Sequence, residues 1–206
     1  MLIMSKVLDI LAAQLNPVVG DINGNLALAR EAYAEAKERD ADLLVLSELF
    51  ILGYPAEDLV LKPSAVELSM AAVQTLAGET AGGPAILIGC PWDVDGKVHN
   101  SSVLLKDGKV AGRCDKRELP NYGVFDEKRI FAPGEGAPFV FTLKGVKVGV
   151  AICEDIWFER VPLSLKKAGA DMLIVPNGSP WRRTVHAERH STFSAWRKTG
   201  LPYLFV

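Results

Sequence analysis

The stretch Val146 to Trp157, VKVGVAICEDIW, decides the fold: an apolar run builds to Ile152 and stops abruptly at Cys153-Glu154-Asp155. The apolar half reads as a buried strand, and the polar cluster behind it reads as the sharp turn that leaves the strand. Side chains on such a turn are held by the sheet yet remain open to a pocket, which is where reacting groups collect. A lone cysteine is more often a small buried apolar thiol than a nucleophile. Cys153 therefore gains weight only from its company elsewhere in the chain.

That company stands at two other predicted strand ends. Asp42 to Ser47, DLLVLS, runs into Glu48 and then LFILGYP, while Val110 to Asp115 runs into Lys116 and then RELPNYGVFDEKR. Taken singly, Glu48 reads as an acid at a helix N-terminus and Lys116 as a solvated loop charge. Together with Cys153 they form a complementary set. A thiol of ordinary pKa, ~8.5, is mostly protonated at neutral pH, so it needs a base to take its proton or a cation to favour the thiolate. Carboxylate, ammonium and thiol supply those parts for attack on a poor electrophile such as an amide.

Two hairpins are predicted to deliver these groups. In LLKDGKVAG, Asp107-Gly108 supplies the positive φ angles of a two-residue turn, and the second arm feeds Lys116. Phe139 to Leu143, then Lys144-Gly145, then VKVGVAIC forms the second hairpin and delivers Cys153. Upstream, MLIMSKVLDILAAQL reads as a first strand, since Lys6 and Asp9 interrupt the apolar core that a signal peptide needs. Asn16-Pro17 and Gly20-Asp21 mark a turn, after which Asn23 or Asn25 caps a helix to about Arg39, with Leu26, Ala29, Tyr33 and Ala36 on one face. Ser64 to Leu76 reads as a second helix, broken by Gly82-Gly83-Pro84 before the strand AILIG. Downstream, the pattern predicts a helix over Phe158 to Ala168 and a buried strand over Asp171 to Val175. A turn over Pro176 to Pro180, a helix over about Thr184 to Lys198 and a strand in LPYLFV follow. Helices alternating with hairpins and single strands predict a layered α/β architecture.

The chain has 206 residues, 49% of them hydrophobic and 23% charged, with a net charge of -2. That is enough for one domain with a substantial core. The near-neutral balance leaves no electrostatic footprint for nucleic acid or an anionic membrane. No stretch reaches the ~20 apolar residues that a membrane-spanning helix requires. Cys90, Cys114 and Cys153 are an odd number without CxxC spacing, which speaks against a disulfide framework or zinc knuckle and for a reducing cytoplasm. Cys90 and Cys114 read as structural thiols. His186 and His190 lie four apart but lack the HExxH pattern, so no metal role is assigned to them. His99 in KVHNSS reads as a loop or edge residue. Gly134-Glu135-Gly136 lacks the strand-then-helix context of a dinucleotide fingerprint, and no GxxxxGK phosphate loop occurs.

The motifs SELFILGYP, CDKRELPNYGVFDEKR and GVAICEDIW, in that order, resemble those of the carbon-nitrogen hydrolase (nitrilase) superfamily, and the resemblance covers nearly the whole chain. Within the superfamily, the LPNYGVFDEKR loop and the later PNGSP most resemble the glutaminase domain of glutamine-dependent NAD synthetases. The resemblance implies a four-layer α-β-β-α sandwich, usually doubled by dimerisation. The stop at Val206 without turn, cap or polar tail predicts that the last strands of that sandwich lie beyond this chain.

By the same resemblance, Glu48, Lys116 and Cys153 match the family's Glu-Lys-Cys triad, and Glu127 a further glutamate that positions Lys116 and substrate. Tyr122 and Ser179 match positions that hold glutamine, and Tyr54 a pocket-lining position. Where relatives carry a basic residue a few places after the serine, this chain has Val185, leaving Arg182 or Arg183 to meet a substrate carboxylate. The implied activity is hydrolysis of the glutamine side-chain amide through a cysteine thioester. It would supply ammonia for ATP-dependent amidation of deamido-NAD by a following synthetase domain, whose SGGxDS signature is not in these residues. The hydrolase part is expected to need no cofactor, with ATP and magnesium belonging to the synthetase domain. Two alternatives stay open: a stand-alone amidase or carbamoylase acting on another small amide, and a catalytically silent member used for binding or assembly.

Overall fold

The computed structural model describes residues 7–180, 183, 187, 189, 190 and 199–206. Most of the helix predicted over Thr184 to Lys198 lies outside the described residues, as do Arg182, Val185 and His186. The first half of the chain forms β1 (Ile10–Ala12), α1 (Ile22–Glu38), β2 (Leu43–Val45), α2 (Pro63–Gly78), β3 (Ala85–Val94), β4 (Lys97–Lys106) and β5 (Lys109–Asp115). A short α3 (Glu127–Ile130) precedes β6 (Val140–Leu143), β7 (Val146–Val150), α4 (Arg160–Lys167), β8 (Met172–Val175) and β9 (Tyr203–Phe205).

These strands make two sheets. The first has the order β1-β2-β3-β4-β5, with β1, β2 and β3 parallel and the two following pairings antiparallel. The second has the order β6-β7-β8-β9, an antiparallel hairpin joined to two parallel pairings. Two antiparallel steps return β5 to the direction of β2, so Glu48 and Lys116 leave the first sheet at the same edge.

Side-chain alternation explains the layers. Leu43 and Val45 of β2 point into a cluster shared with Leu87 and Leu104, and with Val148, Val150 and Ile174 of the second sheet. Leu44 and Leu46, on the opposite face with Ile86 and Ile88, are covered by Leu26, Ala29 and Tyr33 of α1 and by Val73 and Leu76 of α2. On the far side, Val161 and Leu165 of α4 cover Leu173 and Val175. The result is an α-β-β-α sandwich. Because β2 is buried on both faces, its sequence is a continuous apolar run rather than an alternating one. Each such side chain contributes about 1.5–3 kcal/mol through burial.

Several sequence expectations change in detail. Helix α1 is capped by Asp21, whose side chain accepts the Gly24 N–H, and not by Asn23 or Asn25. Asn25 is buried, and its side chain is spent on Val18 and Ile51, tying the preceding loop to the segment after Glu48. The turns at Asp107-Gly108 and Lys144-Gly145 have positive φ at both positions, as the sequence predicts for the first. A third turn of this kind, Asp95-Gly96, joins β3 to β4 and extends AILIG into a hairpin that the sequence reading passed over. His99 consequently sits in the interior strand β4 opposite Trp92, not in a loop or at an edge, with its Nδ1 2.9 Å from the Ala132 carbonyl oxygen.

Candidate active site

Glu48 lies just past β2, where the backbone turns through Leu49 at φ 48°. The turn rests directly on β3: a Cβ added to Gly89 would come within 2.2 Å of Leu49 N and 2.4 Å of the Ser47 carbonyl oxygen. Only glycine permits that approach. The Glu48 carboxylate is buried and fully engaged. Its Oε1 accepts from Lys116 Nζ at 2.7 Å and from Asn100 Nδ2 at 2.8 Å, and its Oε2 accepts the Gly178 N–H at 2.8 Å.

Lys116 follows β5 directly, and its side chain is fully buried (0% exposed). Its ammonium also donates to Glu127 Oε1 at 2.8 Å, and that same oxygen accepts the Tyr54 hydroxyl at 2.9 Å. Burial works against the Lys116 charge, but Glu48, Cys153 and Glu127 outweigh it and hold the group above its ordinary value. Lys116 is therefore a fixed cation at physiological pH. Two carboxylates facing one ammonium leave an excess negative charge, and Glu127 takes the consequence. Burial, then repulsion from Glu48, pushes it up to about 7, against the pull of Lys116 and Tyr54. The same burial and the nearby carboxylates drive the Tyr54 hydroxyl upward.

Cys153 opens a short 3-10 turn, Cys153–Trp157, with φ 44°. A non-glycine residue held in the left-handed region stores on the order of 1–3 kcal/mol and persists only where its surroundings over-determine it. Here the Cys153 N–H donates to the Pro176 carbonyl oxygen at 3.0 Å, tethering the turn to the end of β8. Burial, then Glu48, pushes the thiol well above its ordinary value, while Lys116 pulls it back. At rest it is a neutral thiol beside a carboxylate and an ammonium, which suits proton transfer to Glu48 during attack. Cys90 and Cys114 are buried thiols that lie near carbonyl oxygens of Pro91 and Val150.

The structure thus gathers Glu48, Lys116, Glu127, Tyr54 and Cys153 into one buried cluster. Tyr122 and Ser179 lie at its rim with other partners. The Tyr122 hydroxyl lies 3.0 Å from each carboxylate oxygen of Glu154. Ser179 Oγ accepts from an Arg189 guanidinium nitrogen at 2.7 Å, and that guanidinium stacks over Phe205. Arg189 thus places a cation beside Ser179, while Arg183 is exposed and Arg182 lies outside the described residues. A cleft of about 680 Å³ opens beside this rim, lined among others by Arg117, Glu118, Tyr122, Glu154 and Arg160. A larger cleft of about 790 Å³ lies between α2, the β3-β4 hairpin and α3, and neither cleft is lined by Glu48, Lys116 or Cys153.

Sequence reasoning missed Asn100, Glu154, Asp155, Arg189 and the Gly178 N–H. Glu154 and Asp155 stand beside Cys153 in the deciding stretch, and Asn100 is the one amide in KVHNSS. Gly178 carries a signal only in retrospect: an added Cβ would meet Tyr54 Cγ at 2.8 Å and Glu48 Oε2 at 3.1 Å.

Residues 10–197 match the family described as carbon-nitrogen hydrolase. The chain is 42% identical over 195 residues to the glutamine-dependent NAD(+) synthetase of Rhodobacter capsulatus, covering 94% of this chain and 35% of that protein. It is 43% identical over 173 residues to the enzyme of the same name from Thermotoga maritima, covering 84% of this chain and 30% of that protein. The chain thus spans about a third of the length of these curated relatives. Among solved structures, glutamine-dependent NAD+ synthetase from Acinetobacter baumannii in complex with ADP superposes with a TM-score of 0.91 at 36% identity, covering 97% of this chain and 38% of that one. A mutant amidase from Nesterenkonia sp. AN1, with the acetamide moiety of fluoroacetamide added at its active-site cysteine, superposes with a TM-score of 0.85 at 26% identity, covering 97% of this chain and 75% of that one.

Proposed function

The chain belongs to the carbon-nitrogen hydrolase family, and on that premise we propose that it hydrolyses the side-chain amide of glutamine through a thioester on Cys153. The observation that carries this reading is the buried Lys116 ammonium held between Glu48 and Glu127, next to a thiol on a left-handed turn. Glu48 takes the thiol proton as Sγ attacks the amide carbon. Lys116, with the backbone N–H after Cys153, stabilises the charge that develops on oxygen. Collapse of the tetrahedral intermediate breaks the C–N bond, and Glu48 returns the proton to the departing nitrogen, which leaves as ammonia. Glu48 then activates a water that attacks the thioester. Glutamate is released and the thiol is restored. Glu127 and Tyr54 hold Lys116 in place through both halves of the reaction.

Glutamine is favoured over other amides by the rim. A free amino acid carries an ammonium and a carboxylate, and the residues around the buried cluster offer both signs of charge. Glu154 suits the ammonium, and Ser179 with Arg189 suits the carboxylate. The names of the relatives point the same way. We assign the released ammonia to amidation of deamido-NAD by a synthetase domain in the same protein, with ATP and magnesium bound there. Among the described residues, no group of three or more His, Cys, Asp and Glu side chains is placed to hold a metal ion. No helix among the described residues is long and apolar enough to cross a membrane, and a cytoplasmic homo-oligomer is the setting we propose.

A second reading, a stand-alone amidase on another small amide, is favoured by the superposition on the Nesterenkonia amidase. Ammonia release from glutamine, measured against acetamide, propionamide and N-carbamoyl amino acids, separates the two. Glutamine preferred at least ~10-fold in kcat/KM supports the first reading, and a preference for simple aliphatic amides overturns it.

A further inference from the structure

We propose that Asp155 is a positioning residue whose buried carboxylate clamps the Cys153 turn to the backbone that carries Lys116. The inference rests on the proposed roles of Cys153 and Lys116, and it concerns how two groups from different sheets are kept in mutual register. Asp155 is fully buried (0% exposed). Its Oδ2 accepts the Ile152 N–H at 2.9 Å, closing a ring around Cys153 from the residue before it to the residue two beyond. Its Oδ1 accepts the N–H groups of Arg117 and Glu118, each at 2.8 Å, and these two residues follow Lys116 directly. One carboxylate therefore joins segments 38 and 37 residues apart in sequence, with a reacting side chain on each segment.

The chemistry of the three partners explains why an aspartate stands there. All are donors, divided between the two oxygens, so only a group with acceptors on both arms satisfies them. Asp155 makes no ion pair among the described residues; backbone N–H groups are what offset the cost of burying it. Burial pushes its carboxyl up to about 6, and the three backbone donors pull it back. Glu48 and Glu127 fix the tip of Lys116. The base of Lys116 is fixed separately, by its N–H on the Asn100 carbonyl oxygen, the Gly134 N–H on its own carbonyl oxygen, and the Asp155 clamp one residue on. A misplacement of about 1 Å between reacting groups costs on the order of 100-fold in rate, which is the effect a lost clamp is expected to have.

Asp155→Asn, made in the complete protein, tests this without changing shape. An asparagine presents one oxygen and one NH2, so either Ile152 or the Arg117-Glu118 pair must face a donor. The expected result is a folded variant with kcat for amide hydrolysis lowered ~100-fold and KM within ~3-fold of the parent. Alkylation of Cys153 by iodoacetamide is expected to slow at least ~10-fold, because the thiol loses its alignment with Lys116. A variant that melts earlier yet keeps the parental kcat and alkylation rate would overturn the inference, since a purely structural aspartate gives that pattern. If the variant does not fold, amide hydrogen exchange in the parent decides. Held by the two oxygens of one carboxylate, Ile152, Arg117 and Glu118 are expected to show protection equal within ~10-fold, and a larger difference for Ile152 overturns the clamp. A parent protein that hydrolyses no amide would sink the proposed function instead, and the alkylation ratio would still decide the role of Asp155.

Discussion

Glu48 is held by three donors and Lys116 by two carboxylates, all out of solvent, whereas Tyr122 on the adjoining rim is 52% exposed and rests its hydroxyl on Glu154. The two regions are neighbours in space but differ in origin. The triad at the centre is made of residues at strand exits, where both sheets and their backbone hydrogen bonds fix position. At the rim, Tyr122 and Ser179 stand in irregular segments, the first between β5 and α3 and the second after β8. A rigid centre suits one bond-breaking chemistry, and a looser rim suits selection among substrates that share the bond. Substitutions in the centre are therefore expected to act on kcat and on stability, and those in the rim on KM.

The largest expected effect is at the nucleophile. Cys153→Ala removes the sulfur that forms the thioester, and amide hydrolysis is expected to fall by ~10⁴-fold or more with the melting temperature nearly unchanged. Residual hydrolysis near the parental rate would reject the nucleophile assignment. Next comes Lys116→Met, which leaves Glu48 and Glu127 facing each other in a buried site without their cation. Breaking a buried pair in this way costs about 3–5 kcal/mol. A lowered melting midpoint together with lost activity is the expected outcome, and a variant as stable as the parent would show that the centre is not held by its charges.

How much of this contrast was legible in the sequence depends on the distance over which each contact forms. The strand ends at Glu48, Lys116 and Cys153 could be read because an apolar run stopping at a polar residue is a local pattern. The Asp107-Gly108 and Lys144-Gly145 hairpins were local too. That Glu127, one charge in the run DEKR, is buried beside Lys116 is decided by folding, which brings the Tyr54 hydroxyl to it from 73 residues away. Asn100 and the Gly178 N–H reach Glu48 across 52 and 130 residues, and no window of sequence contains such pairs. The misassigned cap at α1 has a different cause. Asp21, Asn23 and Asn25 all favour helix starts, and Asn25 was claimed by a tertiary role that outcompeted the local one.

A smaller effect is expected at Glu127, where the centre is least settled electrostatically. Its folded pKa, about 7, lies above the unfolded value because burial, then Glu48, disfavours the charge. A group raised in this way contributes stability below its unfolded pKa, near 4.5, and loses that contribution as pH rises through about 7. Glu127→Gln removes the titration. The parent is thus expected to lose melting temperature relative to the variant between roughly pH 5 and pH 8, and a gap constant across that range would reject the assignment. Activity of the variant is expected to fall ~100-fold, mainly in kcat, as one of the two anchors of Lys116 loses its charge.

The mildest prediction is the one that most directly tests the division between centre and rim. Tyr122→Phe keeps the ring and its edge contact with Phe125, 5.5 Å between centroids, and removes only the hydroxyl that meets Glu154. A hydrogen bond to a charged group contributes about 1.5–3 kcal/mol at most, and at a half-exposed site water replaces much of it. Glutamine binding is therefore expected to weaken ~3- to 5-fold in KM, with kcat held within ~2-fold, because the triad does not lean on this hydroxyl. Steady-state kinetics of ammonia release would check it. If kcat fell ~100-fold at unchanged KM, Glu154 would be transmitting the loss to Cys153 beside it. The rim would then belong to the catalytic machinery, and substrate choice would have to be sought at Ser179 and Arg189 instead.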